Sequence, residues 1–118
     1  MRRRHAAVRC VVTLGCICSW VVAIARAGDT TSGKTLYDGR CAFCHGMSGQ
    51  GDGPAGAALK PPPTNFTGAE VWKSATPAAM RATIENGKPG TSMMAFKASF
   101  TAEQIDELLV YLQTFRPR

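Results

Sequence analysis

The stretch CAFCHG, residues 41–46, contains two cysteines separated by two residues and a histidine directly after the second cysteine. Cysteines at this spacing occur in redox-active dithiols, in zinc sites and at the attachment points of covalently bound groups. Each of these sites needs different partners elsewhere in the chain. The rest of the sequence therefore decides among them.

The first 27 residues differ in composition from all that follow. Four arginines lie within the first nine residues, an apolar run of 15 residues extends from Cys10 to Ile24, and residues 25–27, Ala-Arg-Ala, have the small-x-small pattern of a cleavage site. The run is shorter than the roughly 18–20 residues that cross a bilayer. We predict a cleaved secretion signal over residues 1–27 and a single domain over residues 28–118, with an uncleaved anchor as the alternative.

The charge and the cysteine count both change when the signal is removed. The whole chain has a formal net charge of +6, but five of its 14 basic residues and none of its eight acidic residues precede residue 28. The remaining domain is therefore close to neutral, at about +1, and has no basic stripe for nucleic acid. Its only cysteines and histidine are Cys41, Cys44 and His45.

These three side chains exclude two of the candidate sites. A thioredoxin-type dithiol follows a buried strand, and the sequence has no strand pattern of useful length. A structural zinc needs four ligands, which two thiolates and one adjacent imidazole do not supply. The remaining interpretation is one covalent haem c, with Cys41 and Cys44 as its thioether anchors and His45 as the proximal ligand of its iron.

The sixth ligand of the iron is then a methionine, a lysine or nothing, since no second histidine remains. Met47 is too close to His45 to reach the opposite face of a haem, and Met80 has the spacing of a core residue in a helix. Met93 and Met94 lie in a loop rich in glycine and proline, far enough along the chain to cross to the other side. One of these two is the expected ligand, and a thioether ligand raises the reduction potential.

Helical patterns predict an all-α fold. A first helix, with Thr31 or Ser32 as its N-cap, extends into the CAFCH stretch, and Gly33 either permits a close helix crossing or merely precedes this helix. A second helix is expected over 77–86.

The clearest helical pattern is at the end of the chain. Thr101 and Gln104 form a capping box ahead of apolar residues at i, i+3, i+4 and i+7 spacing over 105–112. Residues 46–68, rich in glycine and proline, are expected to form a long irregular segment that wraps a ligand.

These features together resemble the class I c-type cytochromes, small single-haem electron carriers with histidine and methionine axial ligands. The likeness covers residues 33–115. It is carried by the final capped helix and by GKTLYDGRCAFCHG (33–46), GQGDGPAG (49–56), KPPPTNF (60–66) and NGKPGTSMMAF (86–96). The resemblance implies a small cytochrome c fold of three to four helices wrapped around one covalently attached haem.

The resemblance also implies roles for single residues. Gly33 and Tyr37 match the positions where the first helix of the family crosses its last helix. Pro54 matches the proline whose carbonyl accepts a hydrogen bond from Nδ1–H of the proximal imidazole. Met93 matches the ligand methionine, and Met94 stands where the family often has proline, so Met94 remains the alternative ligand.

The expected function is that of a periplasmic one-electron carrier whose iron cycles between Fe(II) and Fe(III), and not that of an enzyme. Its partners would be a redox donor and acceptor that bind transiently, with no nucleic acid and no stable membrane insertion after signal cleavage. One alternative is a haem-bearing subunit of a periplasmic dehydrogenase or oxidase complex. Another is a haem peroxidase or gas sensor with an open sixth position.

Overall fold

The computed structural model describes residues 29–118, so the predicted secretion signal lies outside the described residues. Over this range the chain forms four α-helices, joined by loops and three short 3₁₀ segments, with no β-strand. The helices are α1 (Thr30–Arg40), α2 (Ala42–His45), α3 (Pro77–Asn86) and α4 (Ala102–Leu112). The predicted all-α fold class is confirmed for this part of the chain.

Helix α1 begins two or three residues before the predicted positions. Its N-cap is Asp29, whose carboxylate accepts a hydrogen bond from the Thr31 backbone N–H at 2.9 Å. The Asp29 carbonyl already accepts the first helical hydrogen bond, from the Gly33 N–H at 3.0 Å. Thr31 and Ser32 therefore lie inside the first turn, and the prediction of either residue as N-cap was wrong.

Gly33 lies at the crossing of α1 and α4. A Cβ atom at this position would overlap the carbonyl oxygen of Glu107 and would lie 2.9 Å from the Cβ of Tyr111. Two helix backbones can approach this closely only where one of them has no side chain. Close helix crossing, one of the two explanations considered for Gly33, is therefore confirmed.

The core forms where α1 and α4 meet and extends to α3. Tyr37 of α1 is fully buried, and its ring packs 5.3 Å from that of Tyr111 and 5.2 Å from that of Phe115. Its hydroxyl donates a 2.7 Å hydrogen bond to the carbonyl of Gly46, directly after the CAFCH stretch. The other buried apolar residues are Ala42, Met80, Ile84, Ile105, Leu108, Leu109 and Leu112.

Helix α3 begins and ends as the sequence predicts, and α4 begins at the predicted capping box. In α3, Thr76 is the N-cap and accepts from the Ala79 N–H, and Pro77 occupies the first turn. In α4, Thr101 and Gln104 form both hydrogen bonds of a capping box. Among the described residues, no helix combines the length and the apolar character that a bilayer crossing requires.

Candidate functional site

The CAFCH stretch bends at the junction of α1 and α2. Cys41 ends α1, and α2 adds one further turn that carries Cys44 and His45. The two cysteines form no disulfide with each other, and both are half-buried. Burial, with a smaller contribution from the neighbouring Cys44, raises the pKa of the Cys41 thiol to about 11. The unmodified thiol is therefore protonated at neutral pH.

A cavity of about 330 Å³ opens beside this turn. Cys44 and His45 line it together with Met93, which lies 48 positions later in the chain than His45. Apolar side chains make up much of the remaining wall, among them the proline run 61–63 and Leu112. A largely apolar cavity of this size with a few convergent ligating groups is typical of a cofactor site.

The imidazole of His45 is held from the side of the proline run. Its Nδ1 lies 3.2 Å from the carbonyl oxygen of Thr64, which makes Nδ1–H the donor and leaves Nε2 available to ligate a metal. Burial lowers the pKa of His45, with the Thr64 contact acting in the opposite direction. Burial thus favours the neutral imidazole, which is the form that binds metal.

This hydrogen bond corrects the assignment of Pro54. The predicted acceptor for Nδ1–H was the Pro54 carbonyl, but Pro54 is exposed and the acceptor in the structure is Thr64. The reason lies in a backbone contact: the Phe66 N–H donates to the carbonyl of Gly49 at 2.7 Å and so holds residues 64–66 against the turn that follows His45. The stretch KPPPTNF belongs to the family pattern, but local sequence has no signal for which carbonyl meets the ring.

The ring of Phe66 also contacts His45, and the sequence had not suggested this. The two ring centroids lie 5.0 Å apart at an interplanar angle of 22°. Phe66 is separated from His45 by 21 residues, and only the folded chain brings the two rings together.

The methionine loop lies on the same cavity. Met93 is half-buried and lines it, whereas Met94 is 66% exposed. The loop is held by the Lys88 N–H, which donates to the Met93 carbonyl at 3.0 Å, and by the Thr91 hydroxyl, which accepts from the Met93 N–H at 3.1 Å. Met80 belongs to the buried core, as expected, and also reaches the cavity wall.

The residues present fit a covalently bound haem. Cys44, His45 and Met93 supply a thiol, an imidazole with a free Nε2 and a thioether sulfur around one apolar cavity, and Cys41 lies a single turn from Cys44. The structure thus places three of the five predicted site residues on one cavity, with Cys41 one turn before Cys44. Pro54 is the exception, because Thr64 takes the place proposed for it.

Comparison with known proteins gives matches over nearly the whole described region. The family model for cytochrome c oxidase, cbb3-type, subunit III matches residues 28–112. Cytochrome c-554(547) of Halothiobacillus neapolitanus is 39% identical over 93 residues, which cover 76% of this chain and all of that protein.

Two further matches differ in how much of the other protein they cover. The cbb3-type cytochrome c oxidase subunit CcoP of Azospirillum brasilense is 35% identical over 86 residues, or 73% of this chain and 28% of that subunit. Among solved structures, the KustC0563 c-type cytochrome superposes with a TM-score of 0.60 at 28% identity, and the match covers 72% of this chain and 98% of that one.

Proposed function

Because the chain belongs to the c-type cytochrome family described as cytochrome c oxidase, cbb3-type, subunit III, we propose that it is a periplasmic one-electron carrier and not itself an enzyme. Membership confirms the resemblance to the small c-type cytochromes, the small cytochrome c fold and haem c as the single cofactor. The protein is an electron-transfer haem protein with redox partners. The free-carrier role, the compartment and the residues that hold the haem are proposals.

The proposed attachment uses the CAFCH stretch and the methionine loop. Cys41 and Cys44 form the two thioether links, His45 ligates the iron through Nε2, and Met93 ligates it through its sulfur. The observation that carries this proposal is that His45 and Met93 line one cavity while Met94 is 66% exposed. When bound, the haem supplies a one-electron couple between Fe(II) and Fe(III).

The chain's own residues have three tasks in this proposal. Thr64 holds the imidazole of His45 through the Nδ1–H hydrogen bond. An acceptor at this place raises the basicity of Nε2 and so strengthens its bond to a metal. Thr91 and Lys88 fix the backbone of Met93 from both sides. The apolar wall, including Leu112, excludes water. A rigid and dry ligand set needs little rearrangement when one electron is added or removed.

The compartment and the partners follow from the sequence signal and the surface. The secretion signal predicted over residues 1–27 supports export to the periplasm, where haem would be attached. Phe43, inside the CAFCH stretch, is 66% exposed and offers apolar surface beside the site. Small, transient contacts with a redox donor and acceptor suit a carrier that must dissociate after each transfer.

A haem-bearing subunit of an oxidase or dehydrogenase complex is the second candidate. The observation in its favour is the match to CcoP, a cbb3-type oxidase subunit of which this chain covers 28%. The free carrier is supported by the match to the whole length of cytochrome c-554(547). Purification from native membranes and periplasm separates the two, since a subunit co-purifies with a larger partner and a carrier does not.

The ligand assignment is tested on protein matured in a host that attaches haem c. We expect an intact mass equal to polypeptide plus one haem, and a sulfur-to-iron charge-transfer band in the oxidised protein. Met93→Ala abolishes that band and lowers the reduction potential, because a thioether ligand stabilises Fe(II).

Met94→Ala is the matched control and keeps both properties. If the band disappears in Met94→Ala and persists in Met93→Ala, the assignment is reversed. A high-spin oxidised spectrum of the unmodified protein would instead indicate an open sixth position, as in a peroxidase or gas sensor.

A further inference from the structure

The segment that supplies the Thr64 carbonyl contacts the His45 ring a second time. Thr64 meets the ring edge at Nδ1, and Phe66, two residues later, lies against the ring face at a centroid distance of 5.0 Å and an angle of 22°. These contacts constrain different motions. The hydrogen bond restrains the position of Nδ1, and the ring stacked on the face restrains the tilt of the imidazole plane.

Phe66 itself is anchored through both of its backbone polar groups. Its N–H donates to the Gly49 carbonyl at 2.7 Å, and its carbonyl accepts from Nε1–H of Trp72, also at 2.7 Å. The guanidinium of Arg116 lies 5.8 Å from the centre of the Trp72 ring, which restrains the indole in turn. The Phe66 ring therefore has a fixed base from which to contact His45.

The Phe66 ring is also packed against a further aromatic side chain. It lies nearly parallel to the ring of Phe115, at 6.3 Å and 13°. Aromatic pairs at such separations attract each other beyond the area that they bury. The plane of the Phe66 ring is thus set by its neighbours and not by His45 alone.

We propose that Phe66 is a positioning residue that fixes the plane of the His45 imidazole, and that Trp72 holds Phe66 in place through its indole N–H. This inference rests on the proposed role of His45 as an iron ligand. The plane of an axial imidazole determines which iron d orbital overlaps with its π system. The distribution of unpaired spin over an oxidised haem therefore reports the orientation of this ring directly.

The test uses the matured, oxidised holoprotein and the hyperfine-shifted haem-methyl resonances in its proton NMR spectrum. We expect Phe66→Leu to change the spread or the order of the four methyl shifts while the mass of attached haem and the sulfur charge-transfer band persist. Trp72→Phe keeps an aromatic ring but removes the donor to the Phe66 carbonyl, and we expect a smaller change of the methyl shifts.

Phe100→Leu is the matched control. Phe100 is half-buried like Phe66, but its ring stacks on Phe96 at 5.5 Å. The same loss of an aromatic ring should leave the methyl pattern as in the unmodified protein. A pattern unchanged in Phe66→Leu, or changed equally in Phe100→Leu, overturns the inference.

Two results separate this inference from the proposed function. If the unmodified protein has no covalent haem or no sulfur ligation, the proposed function fails. If it has both and Phe66→Leu keeps the original methyl pattern, only the positioning role fails. Should Phe66→Leu not accumulate with haem, Trp72→Phe decides: an altered pattern supports the role of Phe66, and an unaltered pattern overturns it.

Discussion

The pair of helices α1 and α4 and the loops around the cavity, residues 46–76 and 87–100, are held by different interactions. The helix pair is stabilised by buried side chains and by a close crossing at Gly33. Among the described residues, the buried apolar side chains lie in helices, whereas the loops are held by partly buried aromatic side chains such as Phe66 and by backbone hydrogen bonds such as Lys88 N–H to Met93. We expect the loops, more than the helix pair, to depend on the cofactor proposed to occupy the cavity.

The largest effect is expected when that cofactor is absent. In the double variant Cys41→Ala, Cys44→Ala both thioether links are absent, so we expect the mass of bare polypeptide. The loops then lose their packing partner, and a small core alone gives modest stability. Circular dichroism should show no cooperative thermal transition.

Met47→Ala is the control for the cysteine variant, because Met47 follows the CAFCH stretch but is 61% exposed. It should retain haem and unfold cooperatively. A haem-free double variant with native-like cooperative unfolding would contradict the idea that the loops depend on the cofactor.

The next effect addresses the helix pair alone. Gly33→Ala places a methyl group against the Glu107 carbonyl and must push α1 away from α4. We expect a loss of about 2–3 kcal/mol in the free energy of unfolding, measured by denaturant titration of the holoprotein.

Gly39→Ala is the matched control in the same helix, since a Cβ at Gly39 meets nothing within 4 Å. Here we expect a gain of about 0.5–1 kcal/mol, because alanine loses less backbone entropy on folding. Equal destabilisation by both substitutions would show that helix propensity, and not the crossing, sets the effect at Gly33.

A smaller effect is expected at Tyr37, which links the two regions. Tyr37→Phe removes the 2.7 Å hydrogen bond to Gly46, whose carbonyl then keeps only the 3.1 Å bond from the Gly49 N–H. The expected loss is about 1–1.5 kcal/mol at neutral pH, with haem and ligation retained.

The difference in unfolding free energy between Tyr37→Phe and the unmodified protein should depend on pH. Burial raises the pKa of Tyr37 above the value of about 10 that an exposed tyrosine has. The folded state therefore holds the hydroxyl proton more tightly than the unfolded state does. The contribution of the protonated Tyr37 hydroxyl to the free energy of unfolding is complete below about pH 10 and decreases as the pH rises further. Denaturation curves of both proteins should converge in alkaline solution, and a constant gap up to pH 11 would contradict the burial of an ionisable hydroxyl at this place.

The smallest effect is local to one helix end. Thr101→Ala removes the acceptor for the Gln104 N–H in the capping box of α4 and should cost about 1 kcal/mol. Thr35→Ala is the control, because the Thr35 hydroxyl only bonds back to the Thr31 carbonyl within α1. It should be neutral or slightly stabilising in the same denaturant titration. An equal loss of unfolding free energy in both variants would show that the capping hydrogen bond contributes no more than a hydroxyl within a helix.

Features set by residues close together in the chain were predicted more accurately than features set by distant residues. Helix α3 and the capping box of α4 were predicted with their correct bounds, because caps and proline act within a few residues. The N-cap of α1 was placed two or three residues late, since several adjacent polar residues are all competent caps. The 3₁₀ segment Ala69–Lys73 was not foreseen, and it has no buried side chain to mark it.

The sequence by itself determined the cofactor chemistry, because the two cysteines and the histidine that haem attachment needs lie within five consecutive residues. Tertiary structure alone decided which carbonyl meets His45, and it turned Met93 toward the cavity while Met94 stays exposed. The two methionines are neighbours of identical chemistry, and Thr64 and Pro54 both offer an ordinary carbonyl. Only the path of the folded backbone distinguishes them, and that path depends on contacts between residues far apart in the chain.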